Sequence, residues 1–167
     1  MMNLEKSQAI HVGNISNLVH TASVDQGSIL AVGAKHATKK GVYKAVVPAT
    51  ANLETGTFVL IFNDETISST GFSNISDFVT MDAGTILRGY NLEVGAEVVM
   101  ADSLLSGTTV VDEFLVPADG SMKLTASATG LDTNFRAVVI EKTTIGFDKV
   151  AATRFRVVAP VFTDATA

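Results

Sequence analysis

Apolar positions along this chain come in short runs that glycine and proline repeatedly cut. Residues 28–32, 43–47 and 57–62 are rich in Val, Ile, Leu, Phe and Tyr, and Gly27, Gly33, Gly41, Pro48 and Gly56 bound them. Runs of this length and composition between turn formers predict strands. Residues 57–62, Thr-Phe-Val-Leu-Ile-Phe, are apolar nearly throughout, which predicts burial on both faces. Further strands are predicted over residues 85–92, 97–100, 108–116, 122–126, 135–142 and 154–158. In the last of these Arg154 and Arg156 alternate with Phe155 and Val157, so the arginines should face outward and the apolar pair inward. Arg136 stands among apolar neighbours on an otherwise buried strand. Turns are expected at Val94-Gly95, Ser106-Gly107, Pro117-Ala118-Asp119-Gly120 and Gly130-Leu131-Asp132.

One segment has a helical period instead. Ile75, Phe78 and Val79 fall at i, i+3 and i+4, Asn74 or Ser73 can cap the start, and Gly84 follows the end. A short helix is expected over residues 74–83, docked on the sheet because so short a helix is marginal alone. Residues 1–20 show Leu4, Ile10, Val12, Ile15, Leu18 and Val19 without a sustained period, and Gly13-Asn14 and Ser16-Asn17 interrupt them. This segment reads either as an edge strand with a frayed terminus or as an arm lying on a neighbouring subunit. Leu30-Ala-Val-Gly-Ala34 echoes Leu92-Glu-Val-Gly-Ala96, which reads as a shared strand-to-turn solution. The expected organisation is an N-terminal arm over 1–20, one β-rich domain over 21–160 and a tail over 161–167. The expected fold class is mainly β: a small barrel or a sandwich, a tulip-like arrangement included, with one short docked helix.

Composition narrows the function. The 167 residues carry a net charge of −5, and the basic ones are scattered apart from Lys39-Lys40 with Lys35 nearby. A nucleic-acid partner is therefore not expected. The longest apolar runs are about five residues, far below the roughly 18–20 of a membrane span, and the first residues lack the pattern of a secretory signal. There is no cysteine, which removes disulfides and thiolate chemistry. Apolar residues make up 47% and charged ones 17%, against about 25% charged in an average domain. Such a surface is expected to suit contact with other protein.

No catalytic set assembles. His11, His20 and His36 lack a Glu or Asp at metal-ligand spacing. There is no Gly-x-Ser-x-Gly elbow, phosphate loop or dinucleotide fingerprint. Asp64-Glu65 and Asp112-Glu113 are adjacent acids, which on a strand point to opposite faces and so form no acid/base dyad. No enzyme activity, no cofactor and no metal are expected. Arg88 lies between Ile86-Leu87 and Gly89-Tyr90 and should find a carboxylate. The partner is either Glu93 or Glu97 within the sheet, or an acid on another subunit.

Several phrases taken in order carry a resemblance. They are Gly41-Val-Tyr-Lys-Ala-Val-Val-Pro48, the apolar run ending at Phe62 with Asn-Asp-Glu after it, Ser76-Asp-Phe78, Ala83-Gly84, Arg88-Gly-Tyr90, Leu92-x-x-Gly95 and Phe135-Arg-Ala-Val-Val-Ile140. Over residues 40–140 the chain resembles the capsid auxiliary (decoration, or cement) proteins of tailed bacteriophages. Where the pattern has an acid after Gly95, this chain has Ala96. The resemblance implies a structural virion protein on the capsid exterior, present in the host cytoplasm during assembly. It would bind the major capsid protein of the expanded head and stabilise the shell. It also implies self-association as a homo-oligomer, here expected as a trimer before a dimer, and no catalytic residues to carry over. The residues expected at capsid or intersubunit contacts are Ile10, Val12, Ile15, Leu18 and Arg88. The rival expectation is a fibre-like module of the phage head or tail that recognises a host surface ligand, although the lack of Trp disfavours a glycan platform.

Overall fold

The computed structural model describes residues 15–62, 80–129, 133–146 and 149–159, together with the backbone of Met2 and Asn3. With strands numbered along the chain, five of them close a small barrel. Their order is β2 (Ile15–Val19), β5 (Val42–Val46), β4 (Ile29–Lys35), β6 (Phe58–Ile61) and β8 (Ile86–Tyr90), and β8 pairs back onto β2. All neighbours are antiparallel except β2 and β5, which run parallel. A second sheet has six strands in the order β1 (Met2–Asn3), β9 (Glu97–Ala101), β13 (Val150–Ala159), β12 (Arg136–Ile145), β10 (Phe114–Val116) and β11 (Thr125–Ser127). A two-stranded ribbon pairs β3 (Val24–Asp25) with β7 (Thr80–Met81). The protein is thus mainly β, with a closed barrel, and the described residues hold only short 3-10 turns in place of helices.

Two cores share the strands β4 and β6. Leu30, Val59 and Ile61 point into the barrel, where they meet Leu18, Ala45 and Leu87, with Val24 and Met81 of the ribbon in the same cluster. Ile29, Ala31, Phe58 and Leu60 alternate with them and point the other way. They pack on Val98, Met100, Leu115, Val139, Phe155 and Val157 of the six-stranded sheet. All four residues of β6 are buried, as its apolar sequence predicts. Each fully buried side chain of this size contributes about 1.5–3 kcal/mol. In β13, Phe155 and Val157 are fully buried while Arg154 and Arg156 lie toward solvent, which is the expected alternation.

The barrel interior is narrow enough to require a glycine. Leu87 and Gly89 are the inward residues of β8, and a Cβ at Gly89 would stand 2.4 Å from Leu18 Cδ1 and 2.6 Å from Val59 Cγ2. Gly89 is therefore where Leu18 and Val59 fit. Tyr90 tilts against Phe62, and Leu92 joins the larger core. Gly95 has φ +92° and its N–H donates to Val157 O, turning the chain into β9. The Arg-Gly-Tyr-x-Leu-x-x-Gly phrase thus has a packing reason at each of its fixed positions.

Several expectations change. The arm over 1–20 is not free along its length: Ile15–Val19 is a barrel strand paired on both sides, and Met2–Asn3 pairs with β9. Of the helix expected over residues 74–83, positions 74–79 lie outside the described residues. Thr80 and Met81 are a strand, because Met81 is drawn into the barrel core beside Val24 and Thr80 Oγ1 donates to Asp25 Oδ1. Residues 108–113 are loop, and the strand begins at Phe114. The echo between residues 30–34 and 92–96 is not structural. Gly33 lies within β4, where a register shift between Val32 and Lys35 opposes Ala45 and Tyr43, while Gly95 makes a turn.

Gly89→Ala is expected to lower the unfolding free energy by about 1–3 kcal/mol through overpacking, read as a shift of the urea midpoint. An unchanged midpoint would mean that the barrel interior has slack that the Leu18 and Val59 positions do not show.

Candidate interaction surface

Alternation in β2, β5 and β8 sends every second side chain out of the barrel. The register aligns these outward residues in rows across the three strands. Ile86, Val19 and Lys44 form one row, Arg88, Asn17 and Val42 the next, and Tyr90 with Ile15 a third. Ile15 is 42% exposed and Ile86 50%. Val46 follows Lys44 on the same side of β5, is 40% exposed, and lies over Gly33. Arg88 and Lys44 are exposed, and β2, β5 and β8 contain no acidic residue. The result is a basic surface with large apolar side chains set into it, on a chain whose net charge is negative.

A second exposed apolar group has the opposite charge. Val110 and Val111, 49% and 42% exposed, precede Asp112 and Glu113. Asp112 has φ +69°, a left-handed conformation that is uphill for a residue with a Cβ. Backbone bonds hold it there: Asp112 N–H donates to Val139 O, Val139 N–H to Glu113 O, and Glu113 N–H to Val110 O, at 2.8–3.2 Å. The loop is thereby fastened to β12 with its two valines outward.

Two polar clusters flank β13. On one face Glu97, almost wholly buried, accepts from Arg154 and from Arg156, whose Nε lies 2.9 Å from Oε1. Arg154 also pairs with Glu141 at 3.5 Å. The Arg156 hydrogen bond, helped by Arg154 and opposed by burial, holds the Glu97 carboxyl below its ordinary pKa. On the other face Asp102 accepts from Lys142 Nζ at 2.7 Å and Thr153 Oγ1 at 2.6 Å, and Thr109 closes the group through Thr153 and Lys142. Burial opposes ionisation of Asp102, but the Lys142 and Thr153 bonds outweigh it and its pKa is lowered. Arg136 stacks over the Phe114 ring at 5.3 Å. These are clamps between strands, with every carboxylate facing a cation.

Of the residues expected at contacts, Ile15 and Arg88 share the outward barrel face. Leu18 does not: it has no exposed surface and belongs to the barrel core, because β2 alternates about Asn17. Ile10 and Val12 lie outside the described residues, as do His11 and the Asp64-Glu65 pair. Arg88 does not share Glu97, both of whose oxygens serve Arg154 and Arg156. His20 and His36 have turn roles: each Nδ1 accepts from a backbone N–H two residues on, and His36 also from Lys39. Among the described residues no three His, Cys, Asp or Glu side chains gather as a metal site, and no helix is long and apolar enough to cross a membrane. A cleft lined by Ser23, Asp25, Gln26, Ser28, Met122 and Lys123 holds about 170 Å³, below the roughly 300 Å³ at which ligand pockets begin. Ile86, Val46 and the Val110-Val111 pair were not singled out in the sequence; their signal was an apolar residue on the polar phase of a strand or beside two acids.

The Glu97 clamp sets an acid limb of stability. A carboxyl with a lowered folded pKa stabilises the fold above its unfolded pKa, and that contribution is lost as pH falls through the folded value. Glu97→Gln is expected to cost about 1–3 kcal/mol at neutral pH, with the difference from the wild type narrowing as pH falls. Denaturation midpoints across the acid range check this, and a pH-independent difference would remove the ionic account.

Comparison with protein-family models, with curated proteins and with solved structures finds no match to this chain.

Proposed function

We propose that this protein is a structural capsid decoration protein of a tailed phage, which binds the outer surface of the expanded head as a homo-oligomer and stabilises it without catalysing a reaction. The observation that carries this reading is the ladder of β8 with β2. The same strand that holds the resembling phrase Arg88-Gly89-Tyr90 also presents Ile86 and Arg88 outward, next to the exposed Ile15. A protein built to work by contact has a use for apolar side chains in such a position. Many copies of a modest interface on a repeating lattice also add up to large avidity. The two rigid cores support the reading, since a clamp on a shell under pressure must resist deformation.

Co-sedimentation with expanded heads lacking the protein tests it. Saturable binding at a copy number matching a lattice position is expected, together with increased resistance of the heads to heat. Folded protein that stays in the supernatant at every concentration would overturn the reading. Deleting residues 1–13, which spares the β2 strand, is expected to weaken head binding while the barrel stays folded by circular dichroism; undiminished binding would exclude a contact role for that segment.

A further inference from the structure

The exposed large apolar side chains of the described residues are not spread evenly. Of the seven, Ile15, Val46 and Ile86 lie on the outward barrel face, and Val110 and Val111 on the loop before β10. The first group is set among Lys44 and Arg88 on strands without an acid, and the second runs directly into Asp112 and Glu113. One surface is apolar and basic, the other apolar and acidic. Within one chain they do not meet as partners. The loop is tied to β12 of the six-stranded sheet through Val139, and the face belongs to β2, β5 and β8, none of which pairs with that sheet.

The geometry points to a head-to-tail contact between copies of this chain, in which residues 110–113 of one copy seat on the Ile15, Val46, Ile86 face of the next. The two surfaces match in kind. Valines meet exposed isoleucine and valine, and the Asp112 and Glu113 carboxylates meet the Lys44 and Arg88 cations. Electrostatic complementarity of this sort fixes partner and register. Both sides are preorganised, one as a β ladder and the other as a loop held by three backbone hydrogen bonds, so little ordering accompanies contact. The strain at Asp112 presents the valines at a fixed angle. A contact between two different surfaces of one chain is heterologous. It therefore closes a ring or grows a filament and does not stop at a two-fold dimer. The inference deepens the self-association included in the proposed function by naming its two surfaces. Because it is tested on the protein alone, it stands or falls separately from head binding.

The test uses two variants of the full chain, Ile86→Ser on the face and Val110→Ser with Val111→Ser on the loop. All three positions are exposed, so both variants should keep the wild-type thermal midpoint. In sedimentation velocity over a concentration series the wild type is expected to associate beyond a dimer, and each variant alone to lose association about tenfold or more. An equimolar mixture of the two is expected to form pairs only, since the intact loop of one variant finds the intact face of the other and no further site remains. A wild type that stays monomeric at the highest attainable concentration overturns the inference. So do variants that associate like the wild type, or a mixture that gains nothing over its components.

Discussion

The fold hangs on two strands that are buried on both sides. β4 and β6 form part of the barrel wall, and their alternate residues fill the barrel and the space under the six-stranded sheet at once. Such strands lose the usual register signal. In a one-sided sheet a slip by one residue turns the apolar set toward water and is heavily penalised; in β6 a slip would exchange one apolar residue for another. Register here is fixed by shape and by hydrogen bonds. Gly89 leaves room only for Leu18 and Val59 at one level of the barrel. At the other end Gly27 donates to Ile61 O and Ile61 to Ser28 O, pinning β6 to the turn before β4. A core of interchangeable apolar residues thus gains a unique arrangement from a missing Cβ and two backbone bonds.

The six-stranded sheet reaches uniqueness by another route. Arg154 and Thr153 are neighbours in β13 and therefore face opposite ways. Arg154 joins Arg156 on Glu97, and Thr153 joins Lys142 on Asp102, so β13 is clamped to β9 on one face and to the turn after β9 on the other. Between the clamps lie Phe155 and Val157, both fully buried. Apolar contact supplies most of the adhesion, and the ion pairs set which residue stands opposite which. Replacing them with apolar groups could preserve the adhesion but would remove that choice.

Most of the strands were legible in the sequence. The runs at residues 28–32, 43–47, 57–62, 97–100 and 154–158 stood out because apolar clusters met glycine or proline at their ends. Ile15–Val19 hid because polar Ser16 and Asn17 sit on a barrel strand whose outer side is open, so only Leu18 bears a core signature. Thr80–Met81 hid behind the spacing of Ile75, Phe78 and Val79, a local period that tertiary pairing with Val24–Asp25 overrode at its end. The loop at residues 108–113 looked like strand because Thr-Thr-Val-Val favours extended backbone, and nothing local signals that Asp112 turns left-handed. Of the candidate contacts, Ile15 and Arg88 could be seen as exposed only after register was known, and the same register moved Leu18 inside.

Composition alone pointed to a sticky surface, and the structure accounts for the same numbers differently. A chain with 47% apolar residues and 17% charged ones would be adhesive all over if it had one core. It has two, and the strands between them need apolar residues at every position instead of every second one. Ile29, Leu30, Ala31, Phe58, Val59, Leu60 and Ile61 are consumed in this way. The high apolar fraction is therefore a property of doubly buried strands and carries no information about partners. What does carry information is the remainder, the few large apolar side chains that two cores with room to bury them leave outside. Burying one more isoleucine would gain about 1.5–3 kcal/mol, so an Ile86 left half in water on a strand whose alternate residues are core has been placed where the fold does not need it. Only a contact beyond the single chain gives that position a physical use.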